Sequence, residues 1–241
     1  MKTHLSKFGF IFAFTFAFAF TALVLFQAPA WASSDSGLGL LFVVKGDVQV
    51  INVHGKVEKA KVGLPIFESD KIITGPGSST KLVAKDHNVL VLGENSSLVV
   101  EKYALQKDQA KQVTLKLDKG SLRSSLEQKY EGKDDRFQVV SPVAVAGVRG
   151  TDFLTEFHPD NNESIICTFK GEVSYQAQAK GKNIGSEASV IAGNFIKHIA
   201  GKPILVSPAK PEWVAKKLAA HEVTGDEQKT MIKAIPRENE P

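Results

Sequence analysis

Val113-Thr114-Leu115-Lys116-Leu117 alternates apolar and polar side chains one for one. Successive side chains of an extended strand point to opposite faces, so this run buries Val113, Leu115 and Leu117 and wets Thr114 and Lys116. Short runs of Val, Ile, Leu, Thr and Phe, often alternating in this way, recur across residues 40–200. Between them stand His54-Gly55, Gly75-Pro76-Gly77-Ser78-Ser79, Asp86-His87-Asn88, Asp118-Lys119-Gly120 and His158-Pro159-Asp160-Asn161-Asn162, all rich in residues that accept turn dihedrals. Short strands at this spacing make an antiparallel, all-β sandwich, barrel or short β-coil.

A small motif recurs. Lys45-Gly46-Asp47-Val48, Lys119-Gly120-Ser121-Leu122 and Lys170-Gly171-Glu172-Val173 each set a glycine and a polar residue ahead of a new apolar alternation. Their spacings are unequal, which excludes a fixed-period solenoid and points to similar corners reused around one core. Residues 106–112 and 128–136 are charged and weakly apolar and read as exposed hairpin loops. Past residue 200, Pro203, Pro208 and Pro211 mark an extended linker that cannot pair as an interior strand. Pro211 and Glu212 suit the first turn of a helix, with Trp213, the Lys217 stem and Leu218 as its apolar stripe. A second short helix is expected around residues 228–235. The chain thus divides into residues 1–32, an all-β domain over 40–200, and a Pro-rich linker with a short helical or disordered tail over 201–241.

The first division has the order of a secretory signal: Lys2 and Lys7, an apolar run over residues 8–26, and a small-residue site, Ala30-Trp31-Ala32, behind Pro29. Cleavage after Ala32 is expected, with Ser33 as the new first residue. Retention as an anchor is the alternative, because the run is about long enough to span a bilayer. Removing this segment takes away two lysines and no acid, so the formal charge falls from +4 to +2 over the remaining 209 residues. A chain so close to neutral, with no Lys/Arg block interleaved with aromatics, gives little support to nucleic-acid binding. Cys167 is the one cysteine, which excludes an intrachain disulfide. Its apolar surroundings, Ile165-Ile166-Cys167-Thr168-Phe169, make it a buried small hydrophobe.

Catalysis needs a nucleophile, a base and an orienting group brought together, or a metal with several ligands. Outside the first segment His54, His87, His158, His198 and His221 are isolated and mostly in turn signals, and are read as facing water. Neither H-E-x-x-H nor C-x-x-C occurs. Gly75-Pro76-Gly77-Ser78-Ser79-Thr80-Lys81 lacks the Gly-Lys-Ser/Thr of a phosphate loop and leads into a strand, so it is read as a hairpin connection. No catalytic residue, cofactor or metal is expected; an enzyme would require scattered residues such as Asp86, His87, Arg149 and Asp152 to converge. The most distinctive stretch, residues 137–153, ends in Val148-Arg149-Gly150-Thr151-Asp152-Phe153. Gly150 permits positive φ, Thr151 returns the chain to strand, and Arg149, with five donors, is read as clamping a corner of the fold.

Gly46-Asp47-Val48-Gln49-Val50, Glu68-Ser69-Asp70-Lys71-Ile72-Ile73-Thr74-Gly75, Ser78-Ser79-Thr80-Lys81-Leu82, Leu117-Asp118-Lys119-Gly120-Ser121-Leu122, Ser141-Pro142 leading to Val148-Arg149-Gly150-Thr151-Asp152-Phe153, and Gly171-Glu172-Val173 together resemble the FecR domain in order and spacing. The resemblance covers residues 40–200 and marks Gly46, Asp70, Gly120, Arg149, Gly150, Thr151, Phe153 and Gly171 as family-motif positions with a structural role. It implies a compact antiparallel β-sandwich or short β-coil in the periplasm of a Gram-negative-type bacterium. In the best-known members such a domain belongs to an inner-membrane regulator that takes a signal from an outer-membrane receptor and controls a sigma factor. Here only seven residues precede the apolar run, so the expectation is a stand-alone exported module without enzymatic activity. Its expected partner is an envelope protein, or a glycan; nucleic acid is not expected, and the membrane only if the N-terminal run is retained.

Overall fold

The computed structural model describes residues 37–105, 110–127 and 129–222. Ala30, Ala32 and the helix expected around residues 228–235 lie outside the described residues. Eighteen strands and one helix form among those described. The chain opens with β1 (Gly37–Lys45), β2 (Val48–Ile51), β3 (Val57–Lys59), β4 (Pro65–Phe67), β5 (Lys71–Thr74), β6 (Ser79–Ala84) and β7 (Val89–Leu92). Then come β8 (Ser97–Ala104), β9 (Gln112–Ser125), β10 (Arg136–Ser141), β11 (Ala144–Val148), β12 (Asp152–His158) and β13 (Glu163–Lys170). Last are β14 (Glu172–Ala179), β15 (Lys182–Asn183), β16 (Ala188–Ile191), β17 (Asn194–Ile199), β18 (Val206–Pro208) and α1 (Pro211–Ala220).

The pairings make a sandwich of two sheets. The first runs β4-β1-β6-β7-β9-β12-β13-β17-β18 and is antiparallel throughout. The second runs β3-β2-β5-β8-β9-β10-β11-β14-β16, with β15 folded onto β14. It contains one parallel pair, β9 with β10.

Strand β9 belongs to both sheets. Its residues 112–119 pair with β8, and residues 120–125 pair with β7 and β12. Asp118-Lys119-Gly120, expected as a turn, is therefore strand interior. Gly120 takes φ +87° and re-aims the backbone from one sheet to the other without ending the strand. The buried phase changes there: Val113, Leu115 and Leu117 face the core before the corner, and Leu122 faces it after. A Cβ on Gly120 would strike Ser96 Oγ and stand 2.5 Å from Ser96 Cα. That hydroxyl accepts the Ser121 N–H at 2.9 Å.

The other two motif glycines are also sheet-to-sheet corners, Gly46 between β1 and β2 and Gly171 between β13 and β14. Each is overlain by a small hydroxyl residue of the adjoining corner. Ser78 covers Gly46 and its Oγ accepts the Asp47 N–H at 2.8 Å; Thr151 Cγ2 lies 2.6 Å from the Cβ position of Gly171. Gly75-Pro76-Gly77-Ser78 likewise crosses from β5 to β6, so it is a corner rather than a hairpin. Between the sheets pack Val48, Ile72, Leu98 and Leu115 from one side and Leu82, Leu122, Phe153 and Ile166 from the other. Each such side chain contributes about 1.5–3 kcal/mol by leaving water.

One expected loop and the expected linker behave differently. Because β10 lies parallel to β9, residues 126–135 must return along the strand as a crossover, not a hairpin. Tyr130 in that segment is buried, its ring edge-on to Phe137 at 5.5 Å. Past residue 200 the expected linker stays on the domain: β18 is an edge strand on β17, where Pro208 is tolerated. Helix α1 forms where Pro211 starts it, with Trp213 against Phe195 at 5.5 Å and Lys217 over the Trp213 ring.

Gly120→Ala combines positive φ with a clash, and is expected to lower unfolding free energy by about 3–5 kcal/mol. Gly77→Ala also sits at positive φ but meets nothing within 4 Å, and is expected to cost about 1–2 kcal/mol. Urea denaturation of the two variants checks this; equal losses would contradict it.

Candidate functional site

The motif residues fall at corners and in the core. Gly150, at φ +106°, and Thr151 turn the chain from β11 to β12, and Gly150 O lies 3.0 Å from the Cβ position of Gly171. Thr151 is buried, and its carbonyl accepts the Leu126 N–H at 3.0 Å. Asp70 Oδ2 accepts the Phe67 N–H at 2.8 Å, closing the turn in which Ser69 has φ +72°. Burial raises the Asp70 pKa more than that hydrogen bond lowers it. Phe153 is fully buried on β12.

Arg149 is exposed and makes no hydrogen bond or ion pair with the described residues. The clamp expected of it is made by Arg123, on the first-sheet half of β9. Arg123 Nε and Nη2 grip Asp152 Oδ1 and Oδ2 at 2.9 and 2.6 Å, and Nη1 donates to the His221 carbonyl at 2.8 Å. The pair joins neighbouring strands to the end of α1, which Lys217 also ties down through Glu156 at 2.5 Å.

His221 Nε2 is 2.7 Å from Ser121 Oγ, and His221 Nδ1 is 3.1 Å from the Lys217 carbonyl. With the proton on Nδ1, the imidazole donates to that carbonyl and accepts the serine hydroxyl. This is nucleophile-to-base reach. The orienting group, however, is a peptide carbonyl of α1 itself, and Gly93 is packed tightly against both partners. The contact fastens the helix to the sheet. Sequence reasoning missed it because Ser121 and His221 stand 100 residues apart. His198 is likewise buried, with Nδ1 2.8 Å from Tyr175 Oη. Neither histidine faces water as expected; each sits where strand or helix packing turns it inward.

Asp86, His87, Arg149 and Asp152 do not converge. Asp86 accepts Tyr130 Oη–H and an Asn88 amide N–H, both at 2.6 Å, in the turn between β6 and β7 that also holds His87. Asp152 is occupied by Arg123, and Arg149 follows β11 in the other sheet. Burial pushes the Cys167 thiol up to about 12, so it is a buried, protonated side chain as expected. Among the described residues no group of three His, Cys, Asp or Glu is arranged to hold a metal.

The described residues also form concavities. One, about 820 Å³, lies beside α1 and is lined by Lys45, Glu94, Trp213, Lys216 and His221 among others. The second, about 690 Å³, lies on the outer face of the second sheet, over Val145 and Gly147 and between Gln138 and Gln176.

The model of the FecR protein family matches residues 70–174. The match agrees with the motif resemblance and runs from the Asp70 turn through β9 to β14. Two solved structures of a candidate anti-sigma factor from Parabacteroides distasonis are similar to the chain, each at 14% identity, with TM-scores of 0.48 and 0.49. The similarity covers 61% of this chain, which spans 64% and 63% of those chains. No curated protein matches it.

Burial holds the His221 pKa below its ordinary 6.5, against smaller upward effects of the Lys217 carbonyl and Glu156. The unfolded chain therefore binds the proton first as pH falls, and the His221 contribution to stability is lost from about pH 6.5 downward. Asp70 and Asp86, whose pKa values are raised by burial, act in the opposite sense. The expected outcome is that His221→Asn flattens the dependence of the urea midpoint on pH between 7.5 and 5 relative to the parent. Parallel curves would contradict it.

Proposed function

We propose that this chain is an exported, non-enzymatic FecR-domain module that binds an envelope partner and serves signalling or regulation there. The observation that carries this reading is the FecR match over residues 70–174, which takes in the strand shared by both sheets. The arrangement of the first sheet supports it: its Ser121, Arg123 and Asp152 are engaged in fastening a helix, while the second sheet keeps an open outer face. The order Lys2, apolar run, Ala30-Trp31-Ala32 supports release into the periplasm after cleavage at Ala32.

A second reading is a membrane-anchored transducer, favoured by the length of the apolar run over residues 8–26. N-terminal sequencing of the fractionated protein separates the two. A chain starting at Ser33 in the periplasmic fraction is expected; intact Met1 in the membrane fraction would replace release with anchoring. Crosslinking in intact cells is expected to recover a specific envelope partner. Recovery of none, with the protein abundant, would overturn the binding module.

A further inference from the structure

The groove on the second sheet follows β11, whose outward side chains Val145 and Gly147 are small and lead to Arg149. Taller side chains wall it on both sides. The registers Gln138↔Gly147↔Ser174 and Val140↔Val145↔Gln176 set them in facing rows. A Cβ on Gly147 would meet one atom, Ser174 Oγ at 2.9 Å, so glycine is what keeps the floor low.

Three features define the occupant. First, β11 is paired with β10 and β14 on its two sides, so no free strand edge is offered and a peptide cannot add as a strand. Recognition must come from side chains. Second, the glutamine amides are preset. Gln138 Nε2 donates to Thr114 Oγ1 at 3.0 Å, Gln176 Nε2 to the Ile184 carbonyl at 2.8 Å, and Gln178 Nε2 to Asn183 Oδ1 at 3.0 Å. One N–H of each amide is committed to protein, which orients the amide and leaves its oxygen to accept, with a second N–H on Gln138 and Gln178 still able to donate. Third, the pair Phe137↔Val148 places Arg136 and Arg149 across from each other at one end. Both guanidinium groups line the groove without an ion pair to the described residues.

The occupant must therefore give protons to amide oxygens, take them from guanidinium and hydroxyl groups, and rest an apolar face on Val140, Val145 and the bare backbone of Gly147. A pyranose ring does all three, because its hydroxyls both donate and accept and its C–H face is apolar. A trough along a strand accepts such rings end to end. Glu172 and Glu187 also line it; they favour hydroxyl donors and disfavour a polyanion.

We propose that this groove binds a linear polysaccharide. The proposal rests on the exported-module reading for where the ligand is met, and on the groove alone for its chemistry. The secreted chain is run by affinity electrophoresis through gels containing dextran, hydroxyethyl cellulose or poly-L-glutamate, and co-sedimented with purified cell-wall sacculi. Retention by at least one of the three polysaccharide probes is expected, with affinity weakened about tenfold by Gly147→Gln. Gly147 is outside the positive-φ region, so the variant should fold; near-parent thermal melting checks that. Gln138→Ala, an exposed-face change that removes an acceptor, is expected to weaken retention too. Retention by poly-L-glutamate alone, retention by none of the polysaccharides, or retention untouched by both substitutions would overturn the groove. Any of these would leave a crosslinked protein partner standing, so this failure is distinct from failure of the binding module.

Discussion

The fold depends on one backbone residue that can carry no side chain. Strand β9 must leave one sheet and enter the other while its hydrogen bonds continue, and at Gly120 the space a Cβ would need is taken by Ser96. The Ser96 hydroxyl is there because it accepts the Ser121 N–H, the first donor past the corner. A buried N–H without a partner costs about 1–3 kcal/mol, so the serine and the glycine require each other. Ser78 over Gly46 repeats the device, and Thr151 over Gly171 keeps its packing through a methyl group. The unequal spacing of the three Lys-Gly motifs follows: each corner answers to a neighbouring corner, not to a repeat length.

The two outer faces of the sandwich then diverge. On the first sheet, Arg123 and Ser121 project from β9 to hold the end of α1, and Glu156 holds its Lys217. On the second, the outward residues of β10, β11 and β14 remain open, and the one glycine among them makes a trough. A single core thus carries one face partly covered by its own helix, with a concavity beside it, and one face left uncovered. That division is the structural basis of the binding role proposed above.

Much of this was legible in the sequence where the cause is local. Alternation such as Val113 to Leu117 marked the strands, the Lys-Gly motifs marked corners, and the apolar flanks of Cys167 marked its burial. The errors arose where distant elements decide. Lys119-Gly120 looks like a turn because a turn and a strand that changes sheets both need positive φ. Tyr130 sits among charged residues, and only the parallel placement of β10 shows that the chain must return along the strand there. Arg149 and Arg123 are each flanked by small residues and strand formers; the one that clamps is decided by Asp152 and by a helix nearly a hundred residues away. The groove has no sequence signature, since Gln138, Gly147 and Ser174 become neighbours only through strand register.

Native-state hydrogen exchange along β9 tests the shared strand most directly. If β9 is the common spine, amides of Leu115 and Leu117 in one half, and of Leu122 and Ser124 in the other, open with the same free energy and the same denaturant dependence, those of global unfolding. Two halves that open with different free energies, parting at Gly120, would show two independent sheets merely joined by a turn.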